Sequence, residues 1–313
     1  MKINRRNPEA SSLRAFFQEQ WEILLEILDN WQEERYLKQW EQERLIDAVE
    51  TIVEATEPKL RLAESYRQRL RDSASGLLHQ VENLVDGLPP AIELSRESFV
   101  KDPWVNALFK DSSVMHRLFS SNRAVRAFFE DSDNAQCDEV FALLIAHRTE
   151  KRVLGAELRG DIIISGVEQT SVRFSGHQLE VPSSREAQVR SGVKQIIFDS
   201  VIEFLRHRMT RLKYEQAADG RLVIRSAWGN PEYYLEQLRE QMHVPHSLIH
   251  LHDDQFRINS MGIKVAADVP GNANVFALQE LGIGDQPVRV VSLVRYPRRE
   301  LQPLSELESF KFL

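Results

Sequence analysis

Asp161 to Val181 reads DIIISGVEQTSVRFSGHQLEV, and at this point the chain changes character. Ile162 to Ile164, Ser171 to Phe174 and His177 to Val181 carry β-branched and aromatic residues without a helical period. Ser175-Gly176 supplies turn residues between the last two segments, so the stretch predicts a hairpin-containing sheet.

Downstream, Ser183 with Glu186 has the spacing of a capping box, opening a helix to about Glu215 with an inner face of Val189, Val193, Ile197, Val201, Phe204 and Leu212. A short strand is expected at Leu222 to Arg225 and a short helix at Pro231 to Met242. Strand-like runs follow at Leu248 to Leu251, Phe256 to Ile258, Ile263 to Val265, Val275 to Leu281 and Val288 to Arg295. Gly282-Ile283-Gly284-Asp285 joins the last two as a hairpin. Val288 to Val294 is apolar on both faces apart from Arg289 and Ser292, which predicts a central strand.

Upstream, helical periods dominate. Glu9 to Glu57 has no Gly or Pro, and Leu13, Phe17, Trp21, Leu24, Leu28 and Trp31 form one stripe in steps of three and four. Leu37 and Trp40 fall on another side, and Asn30 with Glu33 offers a cap, so a break is expected near Asp29 to Gln32. A second run follows Pro58, with a coiled-coil-like seam at Leu70, Ala74, Leu77, Val81, Leu84 and Leu88 that ends at Gly87 and Pro89-Pro90. Caps at Asp102-Pro103, Asp111-Ser112 and Ser121-Asn122 mark short helices, and a longer helix is expected from Ala135 to Leu158. The fold expected is therefore α+β. An N-terminal antiparallel helical arm or bundle (arm 9–88, shorter helices 91–158) precedes a C-terminal antiparallel or mixed sheet with packed helices over 159–313.

At 313 residues the chain exceeds the ~250 at which single cores stop growing, which suits two halves. The net charge of -7 argues against a generally basic nucleic-acid coat. Cys137 is the only cysteine, which excludes an intrachain disulfide, a CxxC redox pair and a cysteine-based zinc ribbon. MKINRRNPEA turns to Pro and Glu where a signal peptide needs an apolar core, and no apolar run reaches ~18 residues, so membrane insertion is not expected and a cytoplasmic location is.

Three chemistries have candidate residues. His250, His252 and Asp254 match part of an HxHxDH zinc motif, in which alternating side chains converge on one ion as ligands or base; Gln255 replaces the final His. Arg206, Arg208 and Arg211 on one helix, with Arg298 and Arg299 near the C-terminus, could meet phosphates. Ser191 and Lys194 match SxxK without its companion strings, and no P-loop, GxGxxG, HExxH or GxSxG is present. The leading expectation is a bacterial-style, non-catalytic scaffold or adaptor without cofactor. It would bind a protein partner or itself, with Trp21, Leu28, Trp31, Leu77, Val81 and Leu84 carrying partner binding or helix packing. A metal-dependent hydrolase and a nucleic-acid binder are the alternatives.

Overall fold

The computed structural model describes residues 41–159, 162–216, 222–224, 226–259, 261–265 and 274–303. Trp21, Leu28, Trp31 and the expected break near Asp29 lie outside the described residues. Within them, α1 (residues 41–56) and α2 (Tyr66–Asp86) lead through β1 (Ile92–Glu93) to four short helices. These are α3 (Arg96–Lys101), α4 (Pro103–Phe109), α5 (Ser112–Ser121) and α6 (Arg123–Glu130). The long strands β2 (Glu139–Arg159) and β3 (Ile162–Ser183) precede α7 (Glu186–Lys213) and the small pair β4 (Tyr214–Gln216) and β5 (Leu222–Ile224). The chain continues through α8 (Pro231–Met242), α9 (Pro245–Leu248), β6 (Ile249–Ile258), β7 (Asn274–Ile283) and β8 (Arg289–Pro297).

The main sheet has the order β3-β2-β8-β7-β6, antiparallel throughout, with β1 added parallel to β8. As its two-sided apolar pattern predicts, β8 is central, flanked by β2 on one edge and by β7 and β1 on the other. Helices cover both faces. Phe141, Leu143, Ile145, Val291 and Leu293 join the core beneath α1, α2, α7, α8 and α9. Their neighbours Val140, Ala142, Leu144, Val294 and Tyr296 face α4, α5 and α6, where Phe119 stacks on Tyr296 with centroids 4.2 Å apart. The short helices begin at predicted caps: Asp102, Asp111 and Asn122 accept from the backbone N–H of Trp104, Ser113 and Val125.

Three local expectations are corrected. Ala135 to Leu158 is not a helix; most of it is β2, and its apolar run Val140 to Ala146 is buried or half-buried because helices lie on both sides of the sheet. A run apolar on every side has no period with which to choose strand over helix. Ser175-Gly176 is not a hairpin turn, since β3 runs through it. The positive φ of Gly176 (64°) accompanies a register shift against β2, a bulge. Ser183 and Glu186 form no capping box: Ser183 ends β3, and the Glu186 carboxylate instead accepts from the Ala91 amide and Arg190.

Beyond Ala146 the sheet curls. β2 leaves β8 there and continues paired with β3, while β6 and β7 run on as the second long hairpin. The outer strands meet through residues 262–265. Val172 N–H donates to Gly262 O and Lys264 N–H to Thr170 O, and Asn259 and Val265 pair back with Ile263 and Arg257. Both outer edges of the sheet are thereby joined at this end, which removes an exposed edge. Val172, Phe256, Ile258, Phe276, Leu278 and Val290 fill the inside of the curl, with Trp104 packed 5.5 Å from both Phe174 and Phe276.

Candidate interaction surface

The described residues singled out for helix packing lie in the core or at its margin. Leu77 and Val81 are buried in the α2 core, and Leu84 is half-buried against it. The α2 seam therefore meets α7, α8, α9 and β6 of the same chain. Its end is closed by Arg190 on α7, which donates to the carbonyls of Val85 (2.7 Å), Leu88 (2.9 Å) and Pro89 (3.2 Å). Val85 lies in the last turn of α2, where carbonyls lack i+4 partners, and Leu88 and Pro89 lie in the turn just beyond it. Glu186 steadies Arg190. Burial opposes ionisation of that carboxyl, but the Ala91 amide and the guanidinium outweigh it and hold its pKa below the ordinary range.

His250, His252 and Asp254 alternate on β6 and so share one face of the strand. Their partners differ. The His250 ring lies across Gly282, where an added Cβ would stand 2.3 Å from Nε2; His252 pairs in register with Glu280. Asp254 accepts from Arg148, the first cause of its lowered pKa. Among the described residues no group of three His, Cys, Asp or Glu stands ready to hold a metal ion.

The arginines proposed for phosphate contact are spread over the molecule. Arg206 pairs with Glu203 on its own helix, Arg208 lies 5.9 Å over the Phe204 ring, and Arg211 stands 3.8 Å from Asp285. Arg298 donates to the carbonyls of Ala135 (2.8 Å) and Phe129 (3.1 Å), while Arg299 is exposed on the same turn. Asp285 precedes β8 and Arg298 follows it, so the two clusters sit at opposite ends of a nine-residue strand, roughly 30 Å apart.

A buried polar group joins the C-terminal segment to α5. Tyr296 O–H donates to Glu300 O (2.6 Å), which leaves its oxygen to accept from His116 Nδ1 at 3.0 Å. Burial lowers the His116 pKa, against the Glu300 carboxylate 3.7 Å from Nε2. Gln302 N–H donates to Ser120 Oγ at 2.9 Å. The group packs and ties two segments.

The arrangement best suited to contact with another molecule was not singled out in the sequence. Arg148, where β2 has left β8, grips Glu280 of β7 with two nitrogens (3.1 and 3.2 Å) and Asp254 of β6. Next to it, Lys264 reaches Glu150 at 3.3 Å, and both cations lie over the Phe256 ring. These contacts, with the backbone bonds at Thr170 and Val172, pin the base of the β2–β3 hairpin to the other hairpin.

Past that base the two strands pair only with each other among the described residues, from Val153↔Gln169 to Arg159↔Ile162. This ribbon is about 20 Å long. Along it Leu154 is 79% exposed, Ile162 69% and Ile163 70%, with Val153 and Ile164 also exposed. Ile162 to Val167 contains no charge, and Gly166, at φ 78°, adds a bulge where Gly155↔Val167 gives way to Ala156↔Ser165. Three consecutive isoleucines put apolar side chains on both faces, the only hint the sequence offered. Comparison with protein-family models, curated proteins and solved structures finds no match for this chain.

Proposed function

We propose that the chain is a non-catalytic association protein, a scaffold or adaptor, and that it engages another polypeptide through the β2–β3 ribbon. One observation carries this reading: an uncharged apolar segment, Ile162 to Val167, stands exposed on a hairpin whose base is pinned by Arg148 and Lys264. A two-stranded ribbon is marginal in water, and covering a large aliphatic side chain stabilises by about 1.5–3 kcal/mol relative to leaving it exposed. Contact with a partner therefore has a driving force, and the pinned base reduces the ordering cost of making it. The contact is thereby moved off the α2 seam, whose Leu77 and Val81 are already covered by the chain itself.

A photocrosslinking amino acid placed at Ile163 in the full chain tests this in cells. It is expected to give discrete protein adducts that disappear when Leu154→Asp is added. The same probe at Leu62, equally exposed on the one-turn helix between α1 and α2, is expected to give none of them. Identical patterns at the two positions, or no adduct at Ile163, would overturn the reading.

A further inference from the structure

Building on the association reading above, we infer that the polypeptide met by the ribbon is a second copy of this chain, docked ribbon to ribbon and antiparallel along Ile162 to Val167. Three observations select this occupant.

The first is charge. Two copies with a net charge of -7 repel over most of their surfaces, and this six-residue segment is where they can approach without setting like charges opposite each other. The flanking Glu168 is compensated within its own ribbon by Arg152 at 3.3 Å. A partner chosen for acidity or basicity would find no charge to read on Ile162 to Val167.

The second is geometry. The outer edge of Ile162 to Val167 is unpaired among the described residues, because β3 has β2 on one side and meets residues 262–264 only at Thr170 to Val172. Antiparallel pairing of an edge with its own copy is isologous, so one contact made twice uses the β3 edge of both copies and closes the pair about a two-fold axis. Backbone bonds then continue the sheet across the axis, while Leu154 and the isoleucines of each ribbon cover those of the other.

The third is area. The exposed Leu154, Ile162, Ile163 and Ile164 amount to roughly 500 Å² of apolar surface per ribbon, so the side chains of two ribbons can bury at most about 1,000 Å², the lower limit for a specific interface and one that suits a pair dissociating on dilution. A lipid surface suits the ribbon less well. Interfacial anchors carry Trp or Tyr at the headgroup level, and Lys151 to Gln169 contains neither.

The test is sedimentation velocity on the full-length chain over a wide concentration range. The wild type is expected to show twice the chain mass of 36.3 kDa, dissociating on dilution. Ile163→Asp, which puts a charge at the centre of the seam, is expected to weaken the pair roughly a hundredfold or more. Leu62→Asp should leave it intact. Both positions are exposed, and circular dichroism confirms that each variant is folded. In a Cys137→Ser background, Ser165→Cys is expected to form a chain-to-chain disulfide that Leu62→Cys does not.

A single-chain mass for the wild type at every concentration overturns the inference, as does a dimer indifferent to Ile163→Asp. The association reading fails separately. If the chain is monomeric and the Ile163 probe captures a different protein, that reading stands and self-pairing falls; if the probe captures nothing, both fall.

Discussion

Arg190 closes the end of a helix that lies 105 positions earlier in the chain. Its side chain is 19% exposed, and its guanidinium meets three carbonyls and the Glu186 carboxylate at once. Removing it would take a charged donor from all three carbonyls, of which Val85 O keeps the Leu88 N–H, and leave a partly buried carboxylate without its cation. Arg190→Met should therefore cost about 3 kcal/mol, read as a lower urea midpoint at unchanged m-value. Adding Glu186→Gln to Arg190→Met should cost less than the two single losses together, since the pair works as one unit. Nothing in the sequence marks Arg190, Arg148 or His116. Their partners lie on distant elements, at Val85, Glu280 and Tyr296, and local patterns carry no information about such pairings. The residues that local pattern did mark, His250, His252 and Asp254, share a strand face as alternation requires, but register places Asp254 against Arg148.

At the scale of the element, legibility followed periodicity. The α2 stripe was readable because its helix has one buried face and one wet face: the structure buries Leu70, Ala74, Leu77 and Val81 as the spacing predicts, and then buries Val85 where the seam was read at Leu84. β2 was misread because it has no wet face where it crosses the sheet. The difference between core and rim within α2 is testable. Leu77 has no exposed surface, so Leu77→Asp forces an unpaired carboxylate into the core and should cost more than about 4 kcal/mol, enough to unfold a chain of ordinary stability. Leu84 is half-buried at the margin of the same core, where its replacement can turn toward solvent; Leu84→Asp should cost about 1–2 kcal/mol. Thermal and urea unfolding of the two variants would show this inequality. Equal effects would mean that the seam is not oriented as described. The ribbon was half legible: Ile162 to Ile164 announced a strand, but exposure is decided by where β8 ends, and that depends on the register of strands far along the chain.

For the whole molecule, the decisive feature is that two long hairpins separated by α7 and α8 are held together at one end by a few contacts. Arg148 is the centre of that junction, bonded to β6 and β7 from β2. The backbone bonds at Thr170 and Val172 lie one strand away and depend on β2 and β3 keeping their place. Arg148→Met keeps the stem over Phe256 and removes the charge, leaving Asp254 and the buried Glu280 without the guanidinium that joins them. Opening of the junction should become about 2–3 kcal/mol easier, so amides at 147–150 and 170–174 should exchange roughly 30- to 160-fold faster while those of α2 hold. Acid should act on the same junction. Arg148 holds Asp254 below its ordinary pKa, aided by Lys264 and His252 and opposed by partial burial. A carboxyl depressed in the folded state gives its full stabilisation above the unfolded value, near 3.9, and loses it as pH falls through the folded value. Wild-type protection at the junction should thus decline on acidification below about pH 4, whereas Arg148→Met, already without the ion pair, should show little further decline. Hydrogen exchange followed by mass spectrometry across that range measures both. Unchanged protection in Arg148→Met would mean that the backbone bonds at residues 262–265 hold the hairpins together without the ionic clamp.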